Sequence, residues 1–303
     1  MTESAVLVVG DVMTDVIVRP EGPMVRGSDR RASIRSRPGG SGANQAIWLA
    51  QFGAPVHFAA RVGAGDLDAQ VAHFSSLGVT PHFGADIETP SGVLISIVDT
   101  EGERSFLTDR GANLNLGPDD LPSSLLDGIG LLVCSGYSFF APGPRTAILA
   151  LMKEATSRGL AVVVDAASVG FLGEVGVESF LKWTSGSSTL FANLDEALAL
   201  TGSSDLTLQM QTLGRFYRRV IVKRGAQGAA VGGRNGVSLS LPAPQSDVID
   251  STGAGDAFAA AFLAAELRGE KPDSCLRAGI EAGATAVTLV GGQPDRGLLK
   301  PTR

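Results

Sequence analysis

Five short apolar runs, Val6 to Val9, Leu131 to Cys134, Ala161 to Val164, Leu190 to Ala192 and Val220 to Lys223, alternate along this chain with segments of helical periodicity. Runs this short, rich in Val, Leu and Ile, suit strands of a parallel sheet covered on both faces. The helical patterns include Asn44 to Phe52, Arg145 to Arg158 and Gly255 to Arg268, each followed by a glycine that signals a stop. Alternation of this kind requires right-handed crossovers. The expected fold is therefore α/β, a doubly wound and mostly parallel sheet flanked by helices, with ligands beyond the carboxyl ends of the strands.

Two stretches break the alternation. Residues 15–37 and 91–109 lack helix signals, and Gly92 to Val98 leads through Asp99-Thr-Glu-Gly102 to Arg104-Ser-Phe-Leu-Thr108, which reads as a hairpin. Both are assigned to a small β-sheet lid on a single unit spanning 1–303, placed to exclude water during group transfer. The tail from Gly291 is rich in Gly and Pro and reads as irregular.

Composition narrows the partners. With 303 residues, 44% of them hydrophobic, the chain can bury a sizeable core, and a net charge of −6 argues against nucleic acid or an anionic membrane as the ligand. The only cysteines, Cys134 and Cys275, form no CxxC pair and read as buried thiols in a reducing cytosol. No basic leader precedes the first strand and no apolar run reaches roughly 18 residues, so a cytoplasmic location is expected. His57, His73 and His82 lack metal-ligand spacing, and no G-x-S-x-G elbow occurs.

The strongest chemical signal is Asp250-Ser-Thr-Gly-Ala-Gly-Asp256, a glycine-rich turn opening a helix of small apolar residues. Its backbone N–H groups and the helix N-terminus suit an anion such as a phosphoryl group. Asp256 in the first turn can take a proton from an attacking hydroxyl beside that anion hole, or merely complement the helix dipole. A second cluster, Arg37-Pro-Gly-Gly-Ser-Gly-Ala-Asn44-Gln-Ala46, also precedes a helix, and Asn44 offers both a donor and an acceptor to a polyol. Neither cluster is a dinucleotide fingerprint, and no Walker-type G-x-x-x-x-G-K-[ST] is present.

Together the two clusters resemble the PfkB or ribokinase-like family of carbohydrate kinases, which carries a Gly-Gly pair followed by Asn and a later D-[ST]-T-G-A-G-D. The resemblance runs over nearly the whole chain. It implies a ribokinase-like fold and an ATP- and Mg2+-dependent phosphotransferase acting on an alcohol group of a small sugar or sugar acid, of the ribose, fructose or 2-keto-3-deoxygluconate class. It implies Asp256 as base, with Gly253, Ala254 and Gly255 as the anion hole. The step Asn193-Leu-Asp-Glu196 is implied to organise Mg2+, through water, and the nucleotide phosphates. Lys223, Gly225 and Gly228 are implied on the nucleotide side. Asp15, Asp11, Gly39, Gly40 and Asn44 are implied substrate contacts, Asp11 being equally a turn or cap residue. Asp250 and Thr252 match positions that hold a monovalent cation, K+, in some relatives, and the lid of some relatives pairs two copies into a homodimer.

The chain departs from several members of the family after Val164, where Asp165-Ala-Ala-Ser-Val stands in place of Asp-Pro-Asn and then Arg. Arg26, Arg30, Arg31, Arg35 and Arg37 in the lid, and Arg110 after the hairpin, are candidates to pair with a carboxylate or phosphate on the acceptor. Two alternatives stand beside the sugar kinase. A nucleoside kinase is weakened by the 6% aromatic content but kept open by Phe83 and Phe106, and a catalytically silent sugar-binding regulator is opposed by the intact Asp256, Asn193 and Glu196.

Overall fold

The structure, a computed structural model, describes residues 5–98 and 104–294; the turn expected at Asp99 to Gly102 and the tail from Asp295 lie outside the described residues. Thirteen strands are described: β1 (Ala5–Val9), β2 (Met13–Pro20), β3 (Ala32–Gly39), β4 (Val56–Gly63), β5 (Val79–Asp86), β6 (Gly92–Val98), β7 (Arg104–Asp109), β8 (Ile129–Ser135), β9 (Ala161–Asp165), β10 (Thr189–Asn193), β11 (Arg219–Lys223), β12 (Ala229–Gly233) and β13 (Gly236–Leu241). Nine of them form one sheet in the order β13-β12-β11-β10-β9-β8-β1-β4-β5. Strands β11 through β5 in that order are parallel, and β12 and β13 add an antiparallel edge.

Both faces of this sheet are buried, which is why its central strands are apolar without alternation. Val6, Val8, Val133, Val163, Phe191 and Ile221 pack beneath the helices Ser41–Gln51, Ala254–Leu267 and Pro272–Ala286. Leu7, Val9, Leu132, Val162, Leu190 and Val222 pack on the other face with the helices Pro142–Ser157, Val177–Thr184, Leu194–Thr201 and Leu206–Leu213. Cys134 lies in that second layer, where burial pushes its thiol up to about 12, so it is an inert core residue.

Four strands the apolar runs did not reveal are β4, β5, β12 and β13. His57 and Arg61 interrupt β4, Pro81 sits in β5 at the sheet edge, and β12 ends in Gly232-Gly233, so each reads as loop in one dimension. His57 and His82, one on each of the first pair, lie 2.8 Å apart through their ring nitrogens.

The lid is the second sheet, ordered β3-β2-β6-β7, and it extends two residues beyond the expected 15–37 at each side, to Met13 and Gly39. It is mixed rather than purely antiparallel, because β2 and β6 run parallel while β2/β3 and β6/β7 are antiparallel. The parallel pair exists because β4 and β5 intervene between its members and return the chain to the same edge. Among the described residues, no helix is long and apolar enough to cross a membrane.

Candidate active site

The carboxyl ends of five neighbouring parallel strands deliver the polar residues of the site. Asp11 follows β1, while Ser135, Asp165, Asn193 and Lys223 are the last residues of β8, β9, β10 and β11. Two glycine turns close over this row.

The first is Gly39-Gly40. Gly40 has φ 97°, and a Cβ there would lie 2.5 Å from the Asp11 carbonyl oxygen, so the turn requires glycine. Asp11 Oδ1 accepts from Gly42 N at 3.1 Å and Ser135 Oγ at 3.2 Å, and Oδ2 lies 3.5 Å from Arg110 Nη2. Its oxygens are thus occupied in holding the turn, which favours the cap reading of Asp11 over that of a free substrate contact. Asp15 differs. It is buried, its carboxylate fills the space a Cβ on Gly39 would occupy, and it makes no side-chain hydrogen bond or ion pair among the described residues. Burial, then Asp11, Asp250 and Asp256, push its carboxyl up to about 7.

A carboxyl raised in this way binds its proton more tightly folded than unfolded, so its penalty on stability is absent below about pH 4 and full above about pH 7. Asp15→Asn is expected to raise the melting temperature at pH 8 by on the order of 2–6 °C, and that gain should shrink by more than half at pH 5. Thermal melts at the two pH values check it.

The second turn is Asp250 to Gly253. Asp250 Oδ1 accepts from Thr252 N at 2.8 Å and Oδ2 from Gly291 N at 3.0 Å, so this buried carboxylate staples the turn to the segment that follows the last helix. Gly253 caps the helix Ala254–Leu267 in the left-handed region, φ 73°. The first-turn N–H groups of Gly255 and Asp256 have no residue upstream within the helix to accept them. Asp256 does not cap its own helix. It reaches across to the helix Ser41–Gln51, where Ser41 Oγ donates to Oδ1 at 2.7 Å, Gln45 Nε2 to Oδ1 at 3.1 Å and Asn44 Nδ2 to Oδ2 at 3.0 Å. Burial and then Asp165 push its carboxyl up to about 6 against these three bonds, which favour the charged form.

Beside it sits an ion pair the sequence did not suggest. Lys223 Nζ donates to Asp165 Oδ2 at 2.9 Å, and a Cβ on Gly255 would lie 2.9 Å from the same Nζ. Burial alone would lower the Lys223 ammonium, but Asp165 and Glu196 outweigh it and raise it. Asp165, the last residue of β9, just before the loop that departs from the family pattern, is therefore part of the cluster. Asn193 and Glu196 form a capping box on the helix Leu194–Thr201: Asn193 N donates to Glu196 Oε2 at 2.7 Å and Glu196 N to Asn193 Oδ1 at 2.8 Å. Burial pushes the Glu196 carboxyl up to about 7, Lys223 opposing and Asp165 adding.

A cavity of about 820 Å3 opens on the other side of the Gly253–Asp256 turn, lined by Lys223, Gly225, Gly228, Gly255 and the apolar Ala243, Pro244, Phe258, Ile280 and Val287. Gly228 is required by packing, since a Cβ there would meet the Leu241 carbonyl at 2.0 Å, whereas Gly225 faces open space. Ile280 and Val287 were invisible as lining residues because apolar positions at helical spacing read as core.

Of the expected aromatic contacts, Phe83 packs in the core against Phe58 and Phe74, and Phe106 is 54% exposed on the lid. The aromatic wall is instead Tyr137, Phe140 and Phe171, with Arg110 lying 4.8 Å over the Tyr137 ring. Burial, then Asp11 and Asp256, raise the pKa of the Tyr137 hydroxyl, which Arg110 opposes. The lid arginines Arg26, Arg30, Arg31, Arg35 and Arg37 are exposed, and the register sets Arg37 opposite Asp15.

The family model described as pfkB family carbohydrate kinase matches residues 3–296. A ribokinase of Arabidopsis thaliana is 27% identical over 307 residues, covering 95% of this chain and 77% of the plant protein. The bifunctional protein HldE of Pseudomonas savastanoi pv. phaseolicola is 30% identical over 300 residues; the match covers 93% of this chain and 60% of HldE, so this chain spans well under the whole length of that relative. In fold, the crystal structure of adenosine kinase from Sinorhizobium meliloti superimposes with a TM-score of 0.86 at 23% identity, covering 97% of this chain and 96% of that one.

Proposed function

This chain belongs to the pfkB family of carbohydrate kinases, and on that premise we propose that it transfers the γ-phosphoryl group of ATP to a hydroxyl of a small sugar or sugar acid, with Asp256 as the base. The observation that carries the reading is the place of Asp256, a carboxylate in the first turn of a helix whose first residues line an apolar cavity on one side, while Asp256 itself meets the polar helix Ser41–Gln51. Asp256 is ionised above about pH 6 and then accepts the hydroxyl proton. The amides of Gly253, Ala254 and Gly255 receive the charge on the transferring group, that of Ala254 giving up a long 3.4 Å bond to the Ser251 carbonyl. The adenine end fits between Phe258, Ile280 and Pro244, with Lys223 and Gly225 toward the phosphates. Asp15, Gly39, Gly40 and Asn44 face the acceptor, and Arg110 shapes that cleft through Asp11 and Tyr137.

The donor set fits a magnesium ion brought by the nucleotide. Among the described residues no group of three or more His, Cys, Asp or Glu could hold a metal, and Mg2+ is commonly bound by one or two protein oxygens plus substrate phosphates. Asn193 and Glu196 are the residues to hold it, through water, and it would supply neutralisation of phosphate charge. Glu196 must be ionised for this. With its carboxyl at about 7, the half-saturating Mg2+ concentration is expected to rise about tenfold between pH 8 and pH 6. Glu196→Gln should abolish that pH dependence in magnesium titrations of turnover. Asp250 and Thr252 are the candidates for a monovalent cation, tested by comparing K+ with Na+.

A nucleoside acceptor is a second reading, favoured by the wall of Tyr137, Phe140 and Phe171, which offers a flat surface to a base. Acceptor-dependent ADP release over ribose, fructose, 2-keto-3-deoxygluconate, sugar phosphates and nucleosides tests both. Release with a nucleoside alone selects the second, and release with none of them favours a silent sugar-binding regulator.

A further inference from the structure

The two oxygens of Asp256 are not equivalent. Oδ1 accepts from both Ser41 Oγ, at 2.7 Å, and Gln45 Nε2, at 3.1 Å, whereas among the described residues Oδ2 accepts only from Asn44 Nδ2, at 3.0 Å. Gln45 Nε2 also lies 3.3 Å from Ser41 Oγ, so the two donors to Oδ1 brace each other. All three come from one helix, at positions i, i+3 and i+4, which a helix places on one face. The amide orientations follow from charge, since a carboxylate only accepts and must therefore meet the NH2 end of each side chain.

Gln45 is 1% exposed and Asn44 4%. Their carbonyl oxygens, Gln45 Oε1 and Asn44 Oδ1, are buried without a hydrogen-bond partner among the described residues. A buried acceptor left empty costs free energy and marks a place where a partner is missing. Asn44 Oδ1 is thus suited to a second hydroxyl of a polyol that donates its first to Asp256. Gln45 Oε1 has no such use, so Gln45 is retained in an apolar layer at a cost for what its NH2 group does.

We propose that Ser41 and Gln45 are positioning residues for phosphoryl transfer, which lock Asp256 Oδ1 and leave Oδ2 as the oxygen that takes the acceptor proton. This rests on Asp256 being the base. In the step, the acceptor O–H bond breaks and its proton passes to Oδ2. The acceptor oxygen bonds to the γ-phosphorus of ATP, the bond from that phosphorus to the bridging oxygen breaks, and ADP leaves with the electron pair. Asn44 yields its place on Oδ2 as the hydroxyl enters, while the bonds to Oδ1 keep the carboxylate plane fixed.

The charged and titratable groups facing Asp256 come from other elements: Asp165 at the end of β9, Lys223 at the end of β11, Asp15 in β2 and Tyr137 after β8. The helix Ser41–Gln51 contributes none, only neutral donors. Removing donors from Oδ1 therefore leaves these charges unchanged and withdraws support for the ionised form alone.

The test compares Ser41→Ala, Gln45→Met and the double variant with Ser41→Thr, which keeps the hydroxyl. Carbon-13 NMR of protein labelled at the aspartate carboxyl carbon reads the titration without substrate, the Asp256 resonance being identified by its loss in Asp256→Asn. The expected result is a midpoint raised by about one pH unit in the Ala and Met variants and restored in Ser41→Thr. With the best acceptor of the panel above, kcat/KM should fall about fivefold at pH 6 and recover toward the parent value by pH 9. Should the double variant fail to fold, Ser41→Ala alone decides. An unshifted midpoint and an unchanged acid limb in Ser41→Ala overturn the inference. If Asp256→Asn itself keeps full turnover, it is the assignment of the base that fails.

Discussion

Asp256→Asn is expected to lower turnover by about 10^2- to 10^4-fold while leaving ATP affinity within about twofold of the parent, because general-base transfer carries a contribution of that size and the nucleotide cavity does not contain the Asp256 side chain. The substitution is mild in structural terms. The new amide oxygen can replace Oδ1 toward Ser41 and Gln45, and Asn44, whose own Oδ1 is without a partner, can turn its amide to accept from the new NH2 group. Proton acceptance is lost and the packing is kept. Steady-state kinetics together with nucleotide titration of the same preparation separate the two effects.

The second large effect divides the glycines of the turn. A Cβ on Gly253 would stand 2.4 Å from Gly292 Cα, at a backbone φ of 73°, so Gly253→Val should destabilise the fold itself by about 3 kcal/mol or more. A Cβ on Gly255 meets no backbone, only the side chain of Lys223, whose ammonium lies at 2.9 Å and can shift along its pairing with Asp165. Gly255→Val should therefore fold, with a melting temperature within a few degrees of the parent, and still lose activity by at least about 100-fold, because the side chain stands where phosphate must approach the amides. Circular dichroism melts and turnover of the two variants, measured side by side, check this split. Equal destabilisation, or retained activity in Gly255→Val, would contradict it.

What the sequence made readable follows from range. The five central parallel strands announced themselves because burial on both faces demands continuous apolar runs, and the lid because its two stretches lack helix signals and the second reads as a hairpin. The turn Asp250 to Asp256 was readable because glycine spacing and a following helix are local features. The clamp on Asp256 was not. Ser41 and Gln45 lie more than 200 residues from their partner and look like ordinary polar positions on a helix, and only the packing of the helices Ser41–Gln51 and Ala254–Leu267 joins them. The same holds for Asp165 and Lys223, which are adjacent only because β9, β10 and β11 are neighbours in the sheet. The family resemblance implied Asp11 as a substrate contact, or equally a turn or cap residue, and its occupation by Gly42, Ser135 and Arg110 is a tertiary fact. The aromatic cluster was missed for a related reason, as Phe171 in the helix Val169–Val175 meets Tyr137 and Phe140 of the turn after β8 only through the fold, and the overall aromatic content conceals their clustering.

The most direct test of the central claim is phosphorus-31 NMR of a reaction containing the protein, Mg-ATP and the best acceptor of the panel. The account predicts a new phosphomonoester resonance that grows in step with ADP, disappears when the acceptor is omitted, and fails to form with Asp256→Asn. ADP appearing with inorganic phosphate alone, or a phosphomonoester formed at the parent rate by Asp256→Asn, would contradict it.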